Sequence, residues 1–85
     1  MAADPRTLFG QRLAELRKAK GFSQERLALE SGLARSYLGG VERGTRNIAL
    51  LNIHRLAHAL GVSPAELMKP PAGNRHADRG RSAMG

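Results

Sequence analysis

The sequence has no cysteine and no tryptophan among its 85 residues, and only one tyrosine and two phenylalanines. Without cysteine the chain can form neither a disulfide nor a thiolate metal site, which fits a reducing cytosol. With so few aromatic side chains the core has to be aliphatic, and the Leu and Ala content favours helices over a sheet. A single domain of this length buries only about 60% of its unfolded surface, so a deep catalytic cavity is not expected.

Long apolar runs are also missing. No segment approaches the roughly 20 apolar residues that a membrane-spanning helix requires. The sequence does not open with a signal-peptide pattern either. We therefore expect a cytoplasmic protein that is not inserted in a membrane.

Acidic residues are few compared with basic ones. Fourteen Lys and Arg residues oppose seven Asp and Glu residues, which gives a formal net charge of +7, and eleven of the fourteen are arginine. Such a balance points to a polyanionic partner, either nucleic acid or an anionic membrane surface. Composition alone leaves both partners open.

Groups that could support catalysis or bind a metal do not form recognisable sets. His54 and His58 are four residues apart, a helical spacing that can hold zinc, but no cysteine or nearby acidic residue completes a site. Ser23 and Ser36 have no evident base and orienting partner. We expect no enzymatic activity, no cofactor and no metal.

Start and stop signals predict five helices. Asp4-Pro5 is a typical helix start and Gly21 a typical stop, while Ser63-Pro64 begins a last short helix that Pro70 ends. We predict an all-α fold, a compact five-helix bundle in a domain of residues 1–70, followed by a flexible basic tail of residues 71–85. The predicted helices cover about residues 5–20, 24–31, 35–42 and 50–60, and a short stretch from 64.

The third predicted helix contains two adjacent glycines, Gly39 and Gly40, and each costs about 1 kcal/mol relative to alanine. One face of this helix carries Leu38 and Val41, whereas the other is basic at its ends and bare in its centre. Such a surface suits close contact between the helix backbone and a DNA groove. Arg35 would then reach base edges, where pairing to guanine is the commonest specific contact. The alternative is that the glycines relieve crowding between helices.

The segment "FSQERLALESGLARSYLGGVERGTRNI", residues 22–48, resembles the helix-turn-helix regulators of the phage-repressor (Cro) type, such as lambda repressor. The flanking strings "LRKAKGFSQ" and "LLNIHRLAHALGVSPAELM" extend this resemblance over about residues 8–68. The string "RSYLGGVERGTRNI" resembles, more narrowly, the controller proteins of restriction–modification systems. The resemblance departs at Ala34 and Ala49, where such regulators usually have a helix-capping side chain.

This resemblance implies a transcriptional regulator that binds double-stranded DNA as a homodimer on a palindromic operator. The third helix would be the recognition helix, and the second would cross the DNA backbone. The residues expected to contact bases are Arg35, Ser36, Tyr37, Gly39 and Arg46. The residues expected to contact the DNA backbone are Ser23, Gln24, Gly40, Arg43, Thr45 and Asn47.

The resemblance also implies roles inside the protein. Arg17 and Glu42 match an internal salt bridge that joins the first helix to the third, although they could be unrelated surface charges. Val62, Leu67 and Met68 would form the dimer interface, or could simply close the core. Tyr37 could pack in the protein instead of reading a base.

Other roles remain open for the same fold. One alternative is an antitoxin, which would bind a partner toxin protein as well as DNA, and another is a phage or mobile-element repressor of the same fold that also binds a partner protein. A third class is a non-specific basic adaptor on RNA or on a membrane. The arginines of the tail (Arg75, Arg79 and Arg81) are either solvated or add non-specific attraction to phosphates.

Overall fold

The computed structural model describes residues 4–72 of the chain. These residues form five helices and no strand, so the all-α, five-helix fold predicted from the sequence is confirmed. The helices are α1 (Pro5–Ala19), α2 (Gln24–Ser31), α3 (Arg35–Arg43), α4 (Leu50–Leu60) and α5 (Pro64–Leu67). Most of the predicted tail, including its three arginines, lies outside the described residues.

Three of the five helices begin with a side-chain cap. The side chains of Asp4, Ser23 and Ser63 each accept a hydrogen bond from a backbone N–H in the first turn of the following helix. Ala34 and Ala49, which precede α3 and α4, cannot do so. Because a missing cap costs typically about 1 kcal/mol, α3 depends on its packing rather than on its own termini.

The core is aliphatic, as the composition predicts, and α3 packs against both α1 and α2 within it. Leucines from all five helices are completely or almost completely buried. The buried apolar residues are Phe9, Leu13, Leu27, Ala28, Leu38, Val41, Leu56, Ala57, Leu60 and Leu67.

The burial of Leu67 corrects one prediction. Its side chain is 0% exposed in the single chain, so it closes the core and has no surface to offer to a second copy. The assignment of Leu67 to the dimer interface was therefore wrong. Met68 is 58% exposed and Val62 is half-buried, so neither position conflicts with an interface.

Gly10 allows α1 and α3 to approach each other closely. A Cβ atom at this position would lie 2.5 Å from the carbonyl oxygen of Glu42 and would also overlap the carbonyl oxygen of Val41. These neighbours are backbone atoms, which cannot rotate away as a side chain can. The sequence reasoning did not single out Gly10, because a lone glycine inside a helix gives no sign of what packs on it.

A second set of polar contacts ties α5 and the chain that follows it to α1. The guanidinium of the buried Arg12 donates to the backbone carbonyl of Glu66 and to its carboxylate, both at 3.0 Å. Arg12 also pairs with Glu15 at 3.4 Å, and Glu15 accepts a hydrogen bond from the backbone N–H of Ala72. Pro71 is buried, so the chain still packs against the helices at the start of the predicted tail.

Candidate nucleic-acid interface

The helices α2 and α3 are joined by a turn of only three residues, Gly32, Leu33 and Ala34. Gly32 has φ +76°, a conformation that glycine adopts without strain, and its N–H bonds to the carbonyl of Ala28 at 2.9 Å. Because α3 turns Leu38 and Val41 into the core, its opposite face is exposed. The exposed residues on that face include Arg35, Ser36 and Arg43.

The glycines of α3 are covered, so the expectation of a bare centre was wrong. A Cβ atom on Gly39 would lie 3.4 Å from Nη1 of Arg35 and 3.3 Å from Nη1 of Arg43. One on Gly40 would lie 2.5 Å from Cγ of Arg46. Gly39 is covered because the helical repeat puts Arg35 and Arg43, four positions before and after it, on the same face, whereas Gly40 is covered by a side chain of the loop after α3.

The alternative, crowding between helices, does not apply at Gly40 either, because the atoms nearest to an added Cβ belong to the side chains of Arg46 and Thr45 in the following loop. At Gly39 the covering atoms are the ends of flexible side chains. Contact between either glycine and DNA requires these arginines to move aside. For Gly39 that movement is a change of side-chain rotamer only.

The arginines of this face differ in their partners. Arg35 donates from Nε to Oε2 of Glu25 at 3.4 Å. Neither Arg43 nor Arg46 has an acidic partner among residues 4–72. The guanidinium of Arg46 lies 5.5 Å from the centre of the Tyr37 ring, within cation–π range. The end of α3 and the loop that follows it thus carry two positive charges that no carboxylate of residues 4–72 offsets.

Three of the side chains expected to contact the DNA backbone already make hydrogen bonds inside the protein. The Ser23 hydroxyl accepts from a backbone N–H, which leaves its own hydrogen free to donate to a phosphate. The Gln24 amide donates one of its two hydrogens to Glu42 at 2.9 Å. The Thr45 hydroxyl donates to the carbonyl of Gly40 at 3.1 Å and would have to exchange this bond for a phosphate.

The ion pair between Arg17 and Glu42 that the resemblance implied is present. Arg17 donates from Nε and Nη2 to the two carboxylate oxygens at 2.7 and 3.1 Å, and from Nη1 to the carbonyl of Phe22 at 2.8 Å. The side chains are only 11% and 7% exposed. Because Gln24 donates to the same carboxylate, Glu42 links α1, α2 and α3.

The Tyr37 side chain links α3 to the following loop and to α4 by hydrogen bonds. Its hydroxyl donates to the carbonyl of Asn47 at 3.1 Å and accepts from the Asn52 amide at 3.3 Å. The ring is half-buried and packs against the core, which is the packing role considered as the alternative. A base contact by Tyr37 stays a prediction. Asn52 was missed because a single polar residue in α4 carries no pattern that would identify its partner.

The remaining candidate sites do not assemble. His54 and His58 are exposed on α4, and no group of three or more metal-ligating side chains occurs within the described part of the chain. None of the five helices combines the length and the apolar character needed to cross a bilayer.

Two short helices joined by a three-residue turn, with arginines on the exposed face of the second, define a helix-turn-helix DNA-binding protein. Comparison with known families agrees with this class: the family model described as helix-turn-helix matches residues 13–67. The chain belongs to this family of transcription regulators, whose role is to bind DNA rather than to catalyse a reaction.

Among the individual relatives are controller proteins of restriction–modification systems. The control protein C.BamHI of Bacillus amyloliquefaciens is 46% identical over 69 residues, which cover 80% of this chain and 85% of that protein. The restriction–modification controller protein C.AhdI from Aeromonas hydrophila has 64% sequence identity to this chain, and the match covers 73% of this chain and 94% of that one. Its crystal structure superposes on the present structure with a TM-score of 0.72. SinR, the master regulator for biofilm formation, has 35% sequence identity to this chain, and the match covers 72% of this chain and 98% of that one. Its crystal structure in complex with DNA gives a TM-score of 0.69.

Proposed function

We propose that this protein is the controller of a restriction–modification system, a cytoplasmic homodimer that binds a palindromic operator. The observation that carries the proposal is the arginine-rich exposed face of α3, in a chain that is 64% identical to one controller protein over 73% of its length. A controller regulates its own gene and that of a linked endonuclease.

In this proposal α3 lies in the major groove, and its N-terminal end approaches the base edges. Arg35 donates to a guanine, with Ser36 beside it, while the N-terminus of α2 meets the phosphate backbone through Ser23 and Gln24. Arg43 and Arg46 carry charge that no carboxylate of the described chain offsets. Arg43 binds a phosphate and Arg46 reaches a base edge, as the resemblance implies, and affinity falls steeply as salt concentration rises because phosphate contacts supply much of it.

The dimer follows from the symmetry of a palindrome, because a two-fold axis places the two recognition helices about 34 Å apart, one turn of DNA. We place the contact with the second copy on α4 and the end of α5. Ile53 and Met68 line one surface groove. Leu50 lies one turn before Ile53 and is 72% exposed, next to Leu51, which is 62% exposed. Met68 thus keeps its predicted role, and the two leucines replace Leu67.

Selection of bound duplexes from a random pool tests the proposal. The expected result is enrichment of a palindrome whose half-sites are one helical turn apart, with a guanine in each half-site. The Arg35→Ala variant should lose discrimination between the enriched duplex and a scrambled one while it stays folded. Recovery of no common sequence by the wild-type protein would contradict the proposal.

A further inference from the structure

Glu25 places a carboxylate beside the arginine that begins the recognition helix. It lies in the first turn of α2, and its Oε2 accepts from Nε of Arg35 at 3.4 Å. Both side chains remain open to solvent, 73% exposed for Glu25 and 50% for Arg35. A backbone hydrogen bond and the nearby Arg35 lower the pKa of Glu25, so its carboxylate is charged at neutral pH.

The geometry of this pair leaves the outer end of the guanidinium available. Glu25 contacts Nε only, and neither Nη of Arg35 donates a hydrogen bond to another group of the described chain. Nη1 lies above Gly39, 3.4 Å from where a Cβ atom on that residue would be. Pairing with guanine needs two donors directed at O6 and N7, and the two Nη groups can supply them.

The charge of Glu25 acts differently on the two kinds of DNA contact. Attraction to a phosphate depends on net charge, and a carboxylate beside the guanidinium reduces it. Donation to a guanine depends mainly on the position of the N–H groups, which the contact at Nε helps to fix. Within residues 4–72, Arg43 and Arg46 have no such carboxylate, so the effect of Glu25 is on Arg35.

We infer that Glu25 is a specificity-determining positioning residue, which holds Arg35 for guanine recognition and weakens its attraction to phosphates. The inference rests on the proposed function, because it requires that Arg35 reads a base. It adds that specificity is set partly by an acidic residue of α2 that makes no attractive contact with DNA itself.

The test compares Glu25→Gln with Glu30→Gln. Glu30 is a matched control because it lies on the same helix, pairs with an arginine (Arg26, at 2.8 Å) and loses the same charge when substituted. The dissociation constants for the selected operator and for a scrambled duplex of equal length are measured for both variants and for the wild type. Thermal melting confirms that all three are folded.

Glu25→Gln should lower the ratio of specific to non-specific affinity by about two- to fivefold, a small change because an ion pair exposed to solvent is a weak one. Most of this change should come from tighter binding to the scrambled duplex. Glu30→Gln should change both affinities by the same factor and leave the ratio as it is. In an Arg35→Ala background, Glu25→Gln should no longer change the ratio.

Two outcomes overturn the inference in different ways. If the wild type discriminates and the two glutamine variants change the ratio equally, Glu25 contributes only general charge and the inference fails while the proposed function stands. If the wild type itself does not prefer any duplex, the proposed function fails and the inference falls with it.

Discussion

Arg17 and Arg26 both pair with a glutamate, but only the first pair is buried. The Arg17 side chain is 11% exposed, whereas that of Arg26 is 55% exposed. In water an exposed pair gains little, because solvent screens the charges and the long side chains lose freedom. A buried pair behaves differently when one partner is removed, since the other charge is left without compensation.

Arg17→Ala should therefore lower the free energy of unfolding by about 3–5 kcal/mol, because Glu42 would stay buried and lose two of its hydrogen bonds. DNA affinity should fall too, since Glu42 links the three helices of the interface. Arg26→Ala serves as the control and should cost no more than about 1 kcal/mol. Denaturant unfolding measures both, and equal losses would contradict the distinction between the two pairs.

Gly10 and Gly39 both lie inside helices, but what packs on them differs: the backbone of another helix in one case, and side chains of the same helix in the other. Gly10 meets the backbone of α3, whereas Gly39 lies under the ends of two arginine side chains. Gly10→Ala should push α1 and α3 apart and destabilise by about 1–3 kcal/mol, as overpacking does. Gly39→Ala should gain helix propensity, up to about 1 kcal/mol, because its neighbours can rotate away. Urea unfolding measures the free energy of unfolding of both variants. A change in the same direction for Gly10→Ala and Gly39→Ala would contradict this explanation.

The start of α1 depends on a carboxylate and so on pH. Hydrogen bonds from the Arg6 side chain and backbone lower the pKa of Asp4 from 3.8 to about 2. A group with a lowered pKa stabilises the fold fully above its unfolded pKa, near pH 4, and loses that contribution as pH falls towards 2. Asp4→Ala should therefore lower the melting temperature at pH 6 but hardly at pH 2. Ser23→Ala removes a cap that does not titrate, so it should lower the melting temperature at both pH 6 and pH 2. If the two variants changed the melting temperature in the same way at both pH values, the Asp4 cap would not depend on its titration.

The sequence was sufficient to predict the helices, because their signals are local. Caps such as Ser23 and stops such as Gly32 lie next to the residues they affect, and α1 to α5 begin close to where they were predicted. What depends on distant neighbours was not predictable in this way. The backbone atoms that pack on Gly10 belong to residues 31 or more positions further along the chain. The contact between Arg46 and Gly40 depends on the path of the loop after α3, and the burial of Leu67 depends on how α5 packs against the other helices. The Arg17–Glu42 pair could be anticipated only through the resemblance.

Over the whole molecule, α3, the proposed recognition helix, is held by its neighbours more than by its own sequence. It lacks a side-chain cap and contains two glycines, yet it contacts α1 at Gly10 and is linked to α1 and α2 through Glu42. Its arginines project from this support, and α4 presents exposed leucines. Interior packing thus positions both the proposed DNA surface and the proposed dimer surface.

The proposed dimer gives the last prediction. Leu50→Glu places a charge in the proposed contact between copies, where burial would strip it of water, so the variant should be monomeric. Folding should be retained because this side chain is 72% exposed in the single chain. Leu29→Glu is the matched control, since Leu29 is 78% exposed and lies on α2 rather than on α4 or α5.

Sedimentation equilibrium over a range of concentrations should show dimers for the wild type and for Leu29→Glu, and monomers for Leu50→Glu. The monomeric variant should also bind a full palindrome more weakly than the wild type, because the two half-sites are no longer engaged by one linked pair of helices. A Leu50→Glu protein that dimerises as strongly as the wild type would move the interface elsewhere on the surface, and a wild type that stays monomeric at every concentration would remove the dimer from the proposal.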